Sequence, residues 1–338
     1  MSELAPRRVT IGDVARAAGV SPSTASRALT GQGYAAQSVK VRVLAAADQL
    51  GYVPDEFARS LKRRTSRLVG VLISDLRNQF YADLAAGIEQ VLTAAGYQMV
   101  LVNDDGDTGR ELARARTLLA MRVPGAIITP VTAEASTLLT AQGVHVVEVD
   151  RQTAESRCDA VLVDSEQGAR VATEHLLSLG HRRIAFLIDE LEWTTGRGRL
   201  AGYRAALRAA KVRFDPKLVA RVGFGPGDAA AALAELLDGQ PDVTAVFAAN
   251  NLMASGVWQE LRRRKLRVPR DISLVAFDDL PWMTMVQPAV SAVSQPVVAL
   301  GARAAELLLA RLSGELTGPP RQEWLAPTFE PRGSTRRL

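Results

Sequence analysis

Residues 10–31 read TIGDVARAAGVSPSTASRALTG, a stretch that predicts two short helices joined by a tight turn. Thr10 is a favourable helix cap, and Asp13 follows three residues later, close to the capping-box pattern. Gly19 is the residue at which the first helix is expected to end. The expected apolar stripe of this helix consists of Val14, Ala17 and Ala18.

The second helix begins almost at once. Ser21 is a suitable cap, and Pro22 takes the first helical position, where its missing amide hydrogen costs nothing. In helix-turn-helix proteins, the first turn of the second helix contacts base edges and phosphates. The residues exposed there are Pro22, Ser23, Thr24, Ser26 and Arg27. The alternative is an ordinary helical hairpin with a glycine corner, which would show similar caps.

Net charge separates these two interpretations. Residues 1–64 contain ten Lys or Arg and five Asp or Glu residues, an excess of +5. The whole chain of 338 residues also carries +5, so the remainder is balanced. The net positive charge therefore lies in the first fifth of the chain, as expected for a segment that binds phosphate.

Composition indicates a folded protein that is not secreted. Hydrophobic residues make up 47% of the chain, enough to bury large cores. No apolar run reaches the roughly 18 residues of a membrane span, and the first residues lack a signal-peptide core. The single cysteine, Cys158, excludes internal disulfides and cysteine-rich zinc sites. We expect a cytoplasmic location.

Two more helical segments precede the main part of the chain. Residues 39–50 predict a third helix that completes a three-helix headpiece over residues 1–53. Its expected apolar face consists of Val39, Val43, Ala46 and Leu50. Residues 54–65 predict a short helix with acids at its start and bases at its end, which suits the helix dipole.

Four motifs in this region follow one another in a characteristic order. They are Thr10-Ile-x-Asp-Val-Ala, Val20-Ser-x-x-Thr-x-Ser-Arg, Leu50-Gly-Tyr-x-Pro and Ala58-Arg-Ser-Leu-Lys. This order resembles the lactose-repressor (LacI/GalR) family of bacterial transcription regulators. Ala36 departs from the family, which usually has Ser before the third helix, so a phosphate contact is not expected there.

The resemblance implies a hinge helix over residues 54–65 that orders on operator DNA and inserts Leu61 into the minor groove. The alternative for Leu61 is a linker residue that packs on the core. The residues that the resemblance assigns to DNA binding are Thr10, Ile11, Ser21, Pro22, Ser23, Thr24, Ser26, Arg27, Tyr52, Arg59, Leu61 and Lys62.

From residue 66 onward, short buried strands alternate with helical stretches. This alternation predicts parallel sheets with crossover helices, the doubly wound α/β class, in two lobes around a cleft. The candidate strands are residues 68–73, 99–103, 126–129, 145–149, 160–163, 184–188, 218–222, 245–247 and 272–277.

The LacI/GalR resemblance continues over this region. Its motifs are Asn78-Gln-Phe-Tyr, Val149-Asp-Arg, Leu179-Gly-His-Arg-Arg-Ile, Arg199-Leu-Ala-Gly-Tyr and Asp271-Ile-Ser-Leu-Val-x-Phe-Asp. They imply the fold of periplasmic sugar-binding proteins, in which two similar lobes enclose a small molecule. In this effector-binding core, residues 66–338, the N-lobe would span about 66–162 and 292–322, and the C-lobe about 163–291 and 323–338.

Ligands of open α/β sheets bind outside the carboxyl ends of the strands. The polar residues at or just past those ends are Asp75, Asp104, Asp150, Asp164, Asp189, Asn250 and Asp278. The resemblance assigns effector binding to Phe80, Tyr81, Asp150, Arg151, Trp193, Arg199, Phe224, Asn250 and Asp278. Carboxylates, an amide and a guanidinium group suit adjacent hydroxyls, so we expect a sugar. A nucleobase is the competing ligand, since stacking residues with an aspartate also bind purines.

The sequence does not indicate an enzyme. The glycines of residues 196–202 lack the spacing of a dinucleotide fingerprint, and three histidines, His145, His175 and His181, are scattered. No cofactor and no metal site are expected. A solute-binding protein of the same fold would not carry the basic headpiece.

The predicted function is therefore a sequence-specific DNA-binding transcriptional regulator, expected to be a repressor, controlled by a small effector. Helix-turn-helix proteins of this kind contact two half-sites, so we expect a homodimer on pseudo-palindromic operator DNA. No leucine heptads follow residue 331, which favours a dimer over a tetramer. The sequence leaves open whether the effector releases DNA or promotes its binding.

Overall fold

The computed structural model describes residues 9–30, 34–52, 67–189, 191–223 and 225–338. The chain divides into two units, Met1–Ser66 and Arg67–Leu338. Several expected functional residues, Arg59, Leu61 and Lys62 of the hinge segment 54–65 together with Phe224, lie outside the described residues.

The first unit contains α1 (Ile11–Ala18), α2 (Pro22–Thr30) and α3 (Gln37–Gln49). The predicted capping box is present, because the Thr10 N–H donates to Asp13 Oδ2 at 3.0 Å and the Asp13 N–H donates to Thr10 Oγ1 at 3.4 Å. Gly19 ends α1 with φ of 66°, in the left-handed region that favours glycine. Ala36 precedes α3 without a side-chain cap.

The three helices share a small apolar core. Its buried members are Val14, Ala15, Ala18, Ala25, Ala28, Val43, Ala46 and Ala47. The predicted faces were wrong at two positions: Ala17 is exposed, with Ala15 buried instead, and Leu50 is exposed because α3 ends at Gln49. The side of α1 that meets the other helices is set by their packing, which the spacing within α1 does not specify.

The described part of the second unit forms two six-stranded sheets. The strands are β1 (Leu68–Ile73), β2 (Gln98–Asn103), β3 (Gly125–Ile128), β4 (His145–Asp150), β5 (Asp159–Val163), β6 (Ile184–Ile188), β7 (Val219–Arg221), β8 (Ala245–Ala248), β9 (Ser273–Phe277), β10 (Ser291–Ser294), β11 (Gln322–Leu325) and β12 (Thr328–Glu330). The first sheet has the order β11-β5-β4-β3-β1-β2, and the second has the order β12-β10-β9-β8-β6-β7. All pairings are parallel except β10 with β12. The predicted α/β class is confirmed, and the nine candidate strands correspond to β1–β9.

Helices cover both sheets. They are α4 (Gln79–Ala94), α5 (Thr108–Ala120), α6 (Glu134–Ala141), α7 (Ser165–Ser178), α8 (Thr194–Ala209), α9 (Pro226–Gly239), α10 (Asn251–Arg263), α11 (Trp282–Met285) and α12 (Val297–Ser313), with a 3-10 turn at Pro216–Leu218. The α4 and α12 helices approach closely, since a Cβ at Gly301 would lie 2.2 Å from the Leu84 carbonyl oxygen. No helix in the described ranges is long and apolar enough to span a bilayer.

We call the first sheet with its helices the N-lobe and the second sheet with its helices the C-lobe. The chain passes between them after β5, after β10 and after β11. The last two passages come about three residues later than the expected limits of 292 and 322. The chain leaves each sheet later because the strands stay paired for longer. β10 pairs with β9 as far as Val293, opposite Phe277, and β11 pairs with β5 as far as Leu325, opposite Val163.

Candidate functional site

A cavity of about 250 Å³ lies where the carboxyl ends of the strands of both lobes face each other. Ser74 follows β1, Asp150 ends β4, Asp189 follows β6 and Asp278 follows β9. Eight of the nine residues expected to bind effector line it: Phe80, Tyr81, Asp150, Arg151, Trp193, Arg199, Asn250 and Asp278. Of the other strand-end carboxylates, Asp75 and Asp189 also line it.

Two strand-end aspartates do not line this cavity. Asp164 caps α7, because its Oδ1 accepts a hydrogen bond from the Gln167 N–H at 2.9 Å. Asp104 is fully buried and accepts from the Gly106 N–H at 2.7 Å. Position at a strand end therefore did not suffice to place a carboxylate in the cleft.

Asp150 and Asp278 share an unusual backbone conformation. Their φ angles are 70° and 68°, in the left-handed region, which Asp tolerates better than most residues. Residues in sparsely populated backbone regions cost free energy and cluster at functional sites. Asp150 at the end of β4 and Asp278 just after β9 both line the shared cavity.

Asp278 is held by four contacts from three residues. Its Oδ2 accepts from the backbone N–H of Asn251 at 3.2 Å and from the Asn251 side chain at 3.1 Å. Its Oδ1 accepts from Gln295 and lies 3.9 Å from the Arg199 guanidinium. Asp278 therefore has a fixed orientation before any ligand binds.

Two of the arginines that line the cavity, Arg151 and Arg199, are also engaged by protein groups. Arg199 donates to the Ala249 carbonyl at 2.6 Å, and its guanidinium carbon lies 4.0 Å from the centre of the Phe277 ring. Arg151 donates to the Pro130 carbonyl at 2.7 Å, to the Tyr81 hydroxyl at 3.1 Å and to Ser74. Burial raises the pKa of Tyr81 to about 12, so its hydroxyl stays neutral.

Aromatic side chains form part of the wall. Trp193 directly precedes α8 in the C-lobe, but its indole N–H donates to the Val131 carbonyl of the N-lobe at 3.0 Å. The Arg151 guanidinium lies 3.9 Å from the centre of the Trp193 ring. Phe80 packs edge-on against Tyr81, with ring centres 5.2 Å apart. Trp193 is 3% exposed, so it joins the two lobes instead of lying on the surface.

The carboxylates Asp150 and Asp189 are less well compensated. Burial raises the pKa of Asp150 to about 6, although the nearby Arg151 acts in the opposite direction. Burial also raises the pKa of Asp189, which accepts one hydrogen bond from Asn250 at 2.9 Å. Carboxylates that lack full compensation in a cavity are candidates for ligand binding.

Each of the two units matches a known protein family. Residues 10–55 match the model of bacterial regulatory proteins, lacI family, and residues 173–335 match a periplasmic binding protein-like domain. The ribose operon repressor of Escherichia coli (strain K12) is 32% identical over 96% of this chain and 99% of its own length. The chain belongs to the lacI family of bacterial regulatory proteins. It is a DNA-binding transcriptional regulator.

Two solved structures resemble this LacI-family regulator over nearly its whole length. A CelR–cellobiose complex is 32% identical, covers 97% of this chain and 100% of its own, and has a TM-score of 0.75. A lac repressor dimer bound to operator and the anti-inducer ONPF is 26% identical, covers 98% of this chain and 100% of its own, and has a TM-score of 0.86.

In the headpiece of this LacI-family regulator, the start of α2 presents a polar surface. Ser21 Oγ accepts from the Thr24 N–H at 3.2 Å and lies 2.9 Å from Ser23 Oγ. Arg27 is exposed, and its Nε donates to the Ser23 carbonyl at 3.3 Å. Pro22, Ser23 and Thr10 are exposed, Ile11, Thr24 and Ser26 are half-buried, and Tyr52 packs on the headpiece core.

Sequence reasoning missed several polar residues of the cleft, among them Ser74, Asn251 and Gln295. Ser74 and Asn251 each lie beside a residue that the strand-end rule did select, so a wider window would have included them. Gln295 follows β10, a strand that was not predicted, and no local signal marks it.

Proposed function

We propose that this regulator is a repressor whose affinity for operator DNA is controlled by a sugar or sugar derivative bound between its lobes. The observation that carries the proposal is the cavity itself, where fixed carboxylates, an amide and aromatic faces converge from both lobes. Relatives include a ribose operon repressor and a regulator solved with cellobiose, which supports a carbohydrate.

The mechanism that we propose is a shift between two arrangements of the lobes. One arrangement holds the paired hinge segments so that they bind the operator, and effector in the cleft changes the population of that arrangement. The headpiece contacts come from Ser23, Thr24 and Arg27, and the hinge contact comes from Leu61. A homodimer presents two headpieces to two half-sites, in agreement with the dimeric lac repressor that this chain resembles.

The DNA part is tested with the full chain and a duplex selected from a random-sequence pool. We expect Arg27→Ala to lower the preference of the protein for that duplex over random DNA by about tenfold. Arg42→Ala on α3 removes the same charge and is the matched control. Equal preference in Arg27→Ala and wild type would refute the assigned DNA surface, and a mass near 36.3 kDa in light scattering would refute the dimer.

The effector part is tested by thermal shift and calorimetry with a panel of sugars and nucleobases. A ligand that binds only the native state raises the melting temperature. We expect a sugar to bind and Asp278→Asn to abolish the shift, while Asp164→Asn, a carboxyl outside the cavity, retains it. Phe80 and Trp193 offer flat faces that would also fit a nucleobase, and binding of a nucleobase alone would replace the sugar proposal.

A further inference from the structure

Two carboxylates of the cleft form no salt bridge within the described residues. Asp75 pairs with Arg77 at 2.9 Å, Asp278 with Arg199 at 3.9 Å, and Asp105 with Arg110. Asp150 and Asp189 form no such ion pair in the described part of the chain.

The oxygens of Asp189 differ from each other. Oδ2 accepts a hydrogen bond from the Asn250 side chain at 2.9 Å. Oδ1 is buried and has no hydrogen-bond partner in the described structure, and the same holds for Gln295 Oε1. A buried acceptor without a donor costs about 1–3 kcal/mol, and more when it is charged. Asp189 and Gln295 both line the cavity, so a ligand bound there could supply the missing donor.

The cavity offers little to an anion. All three arginines that line it, Arg77, Arg151 and Arg199, already donate to protein oxygens. Among the described residues that line the cavity, Arg199 Nε is a buried donor without a partner, and one hydroxyl oxygen would satisfy it. A phosphate or carboxylate would bring a negative charge beside Asp150 and Asp189, where the guanidinium groups of Arg151 and Arg199 already donate to protein oxygens.

We propose that Asp189 is the residue that selects the effector: its Oδ1 accepts a hydrogen bond from a hydroxyl or ammonium group, and effectors that carry phosphate or carboxylate are rejected. This inference rests on the proposed function, because it defines the chemistry of the ligand in the same cleft. Both kinds of effector must carry an N–H or O–H donor, and the experiment distinguishes an ammonium donor from a hydroxyl donor.

The experiment compares wild type with Asp189→Asn, which keeps the shape and removes the charge. The probes are glucose, glucosamine, glucose 6-phosphate, glucuronate, ribose, ribose 5-phosphate, cellobiose and hypoxanthine, measured by thermal shift and calorimetry. We expect an uncharged or amino sugar to bind, its phosphorylated or carboxylated counterpart not to bind, and Asp189→Asn to weaken binding about tenfold or more. Asp164→Asn should bind as wild type does.

The two sources of the donor give different outcomes. If the donor is an ammonium group, glucosamine binds more tightly than glucose, and this advantage disappears in Asp189→Asn. If it is a hydroxyl group, the neutral sugar binds at least as well. Equal affinity for a sugar and its phosphate, or unchanged affinity in Asp189→Asn, overturns the inference while the proposed sugar response stands.

Two further outcomes separate the inference from the proposed function. Hypoxanthine binding that falls about tenfold in Asp189→Asn would refute the sugar response and support the role of Asp189. If no probe binds, the inference is tested on the ligand-free protein. Because an ionised, buried carboxylate without a salt bridge destabilises the folded state, Asp189→Asn should melt at a higher temperature than wild type near pH 7.5. An unchanged or lower melting temperature would overturn the inference.

Discussion

Burial makes several carboxyl groups of the core harder to ionise. It raises the pKa of Asp104 and of Asp150 to about 6. Burial also raises the pKa of Glu111 and of Glu148. Burial without full compensation makes the ionised form of such a group costly in the folded state.

The free energy of unfolding should therefore depend on pH. A carboxyl with a folded-state pKa of about 6 binds protons more tightly than in the unfolded chain, where its pKa is about 3.9. Stability is then highest below about pH 4 for this group, and it falls as pH rises to about 6. We expect Asp150→Asn to raise the melting temperature at pH 7.5 and to give no gain near pH 4.

This is measured by thermal unfolding of the full chain across the pH range, with Asp164→Asn as control. Asparagine also tolerates the left-handed backbone of residue 150, so the substitution adds little strain. A melting temperature of Asp150→Asn that is lower than wild type at pH 7.5 would contradict the expectation.

At the scale of elements, one buried glutamate organises the loop after β3. Glu111 on α5 accepts from the Val131 N–H at 2.7 Å, the Thr132 N–H at 3.1 Å and the Thr132 hydroxyl at 2.8 Å. The same loop after β3 supplies the carbonyls that hold Arg151 and Trp193. Glu111 thus positions two cleft residues without lining the cavity.

We expect Glu111→Ala to lower the free energy of unfolding by about 3 kcal/mol, because three donors lose a buried charged acceptor. It should also shift the tryptophan emission, because the loop no longer holds the Trp193 indole. A Trp193→Phe background identifies that signal among the four tryptophans. Glu134→Gln, an exposed carboxyl at the start of α6, is the control. Unchanged emission in Glu111→Ala would rule out the positioning role.

At the scale of the whole molecule, the two lobes repeat one topology. With the edge strands β11 and β12 set aside, the order β5-β4-β3-β1-β2 corresponds to β10-β9-β8-β6-β7. Asp150 at the end of β4 and Asp278 just after β9 occupy equivalent positions, with nearly equal φ angles. Two such lobes facing each other form a cleft whose shape depends on their relative arrangement, which is the property that an effector can change.

If effector and operator are coupled through this arrangement, their effects must be reciprocal. The factor by which effector changes operator affinity has to equal the factor by which operator changes effector affinity, and we expect about 5–150-fold. Titration of each ligand in the presence and absence of the other measures both factors. Asp278→Asn should bind operator normally, and effector should not change its operator affinity. Unequal factors in wild type would exclude a single shared equilibrium.

Much of this architecture follows from local patterns. The capping box at Thr10 and Asp13, the glycine end of α1, the strands β1–β9 and the carboxylates after them depend on residues close in sequence, so spacing alone predicted them. The family motifs further placed eight residues in one cavity.

Packing between distant segments decided the rest. The sequence did not reveal β10–β12, the burial of Ala15 in place of Ala17, or the presence of Gln295 in the cleft. Nor could it distinguish Asp189, which faces the cavity with an unpartnered oxygen, from Asp104, which lies outside it. The surroundings of Asp189 depend on a distant segment, as its contact with Asn250, 61 residues away, illustrates, and only the folded chain brings the two together.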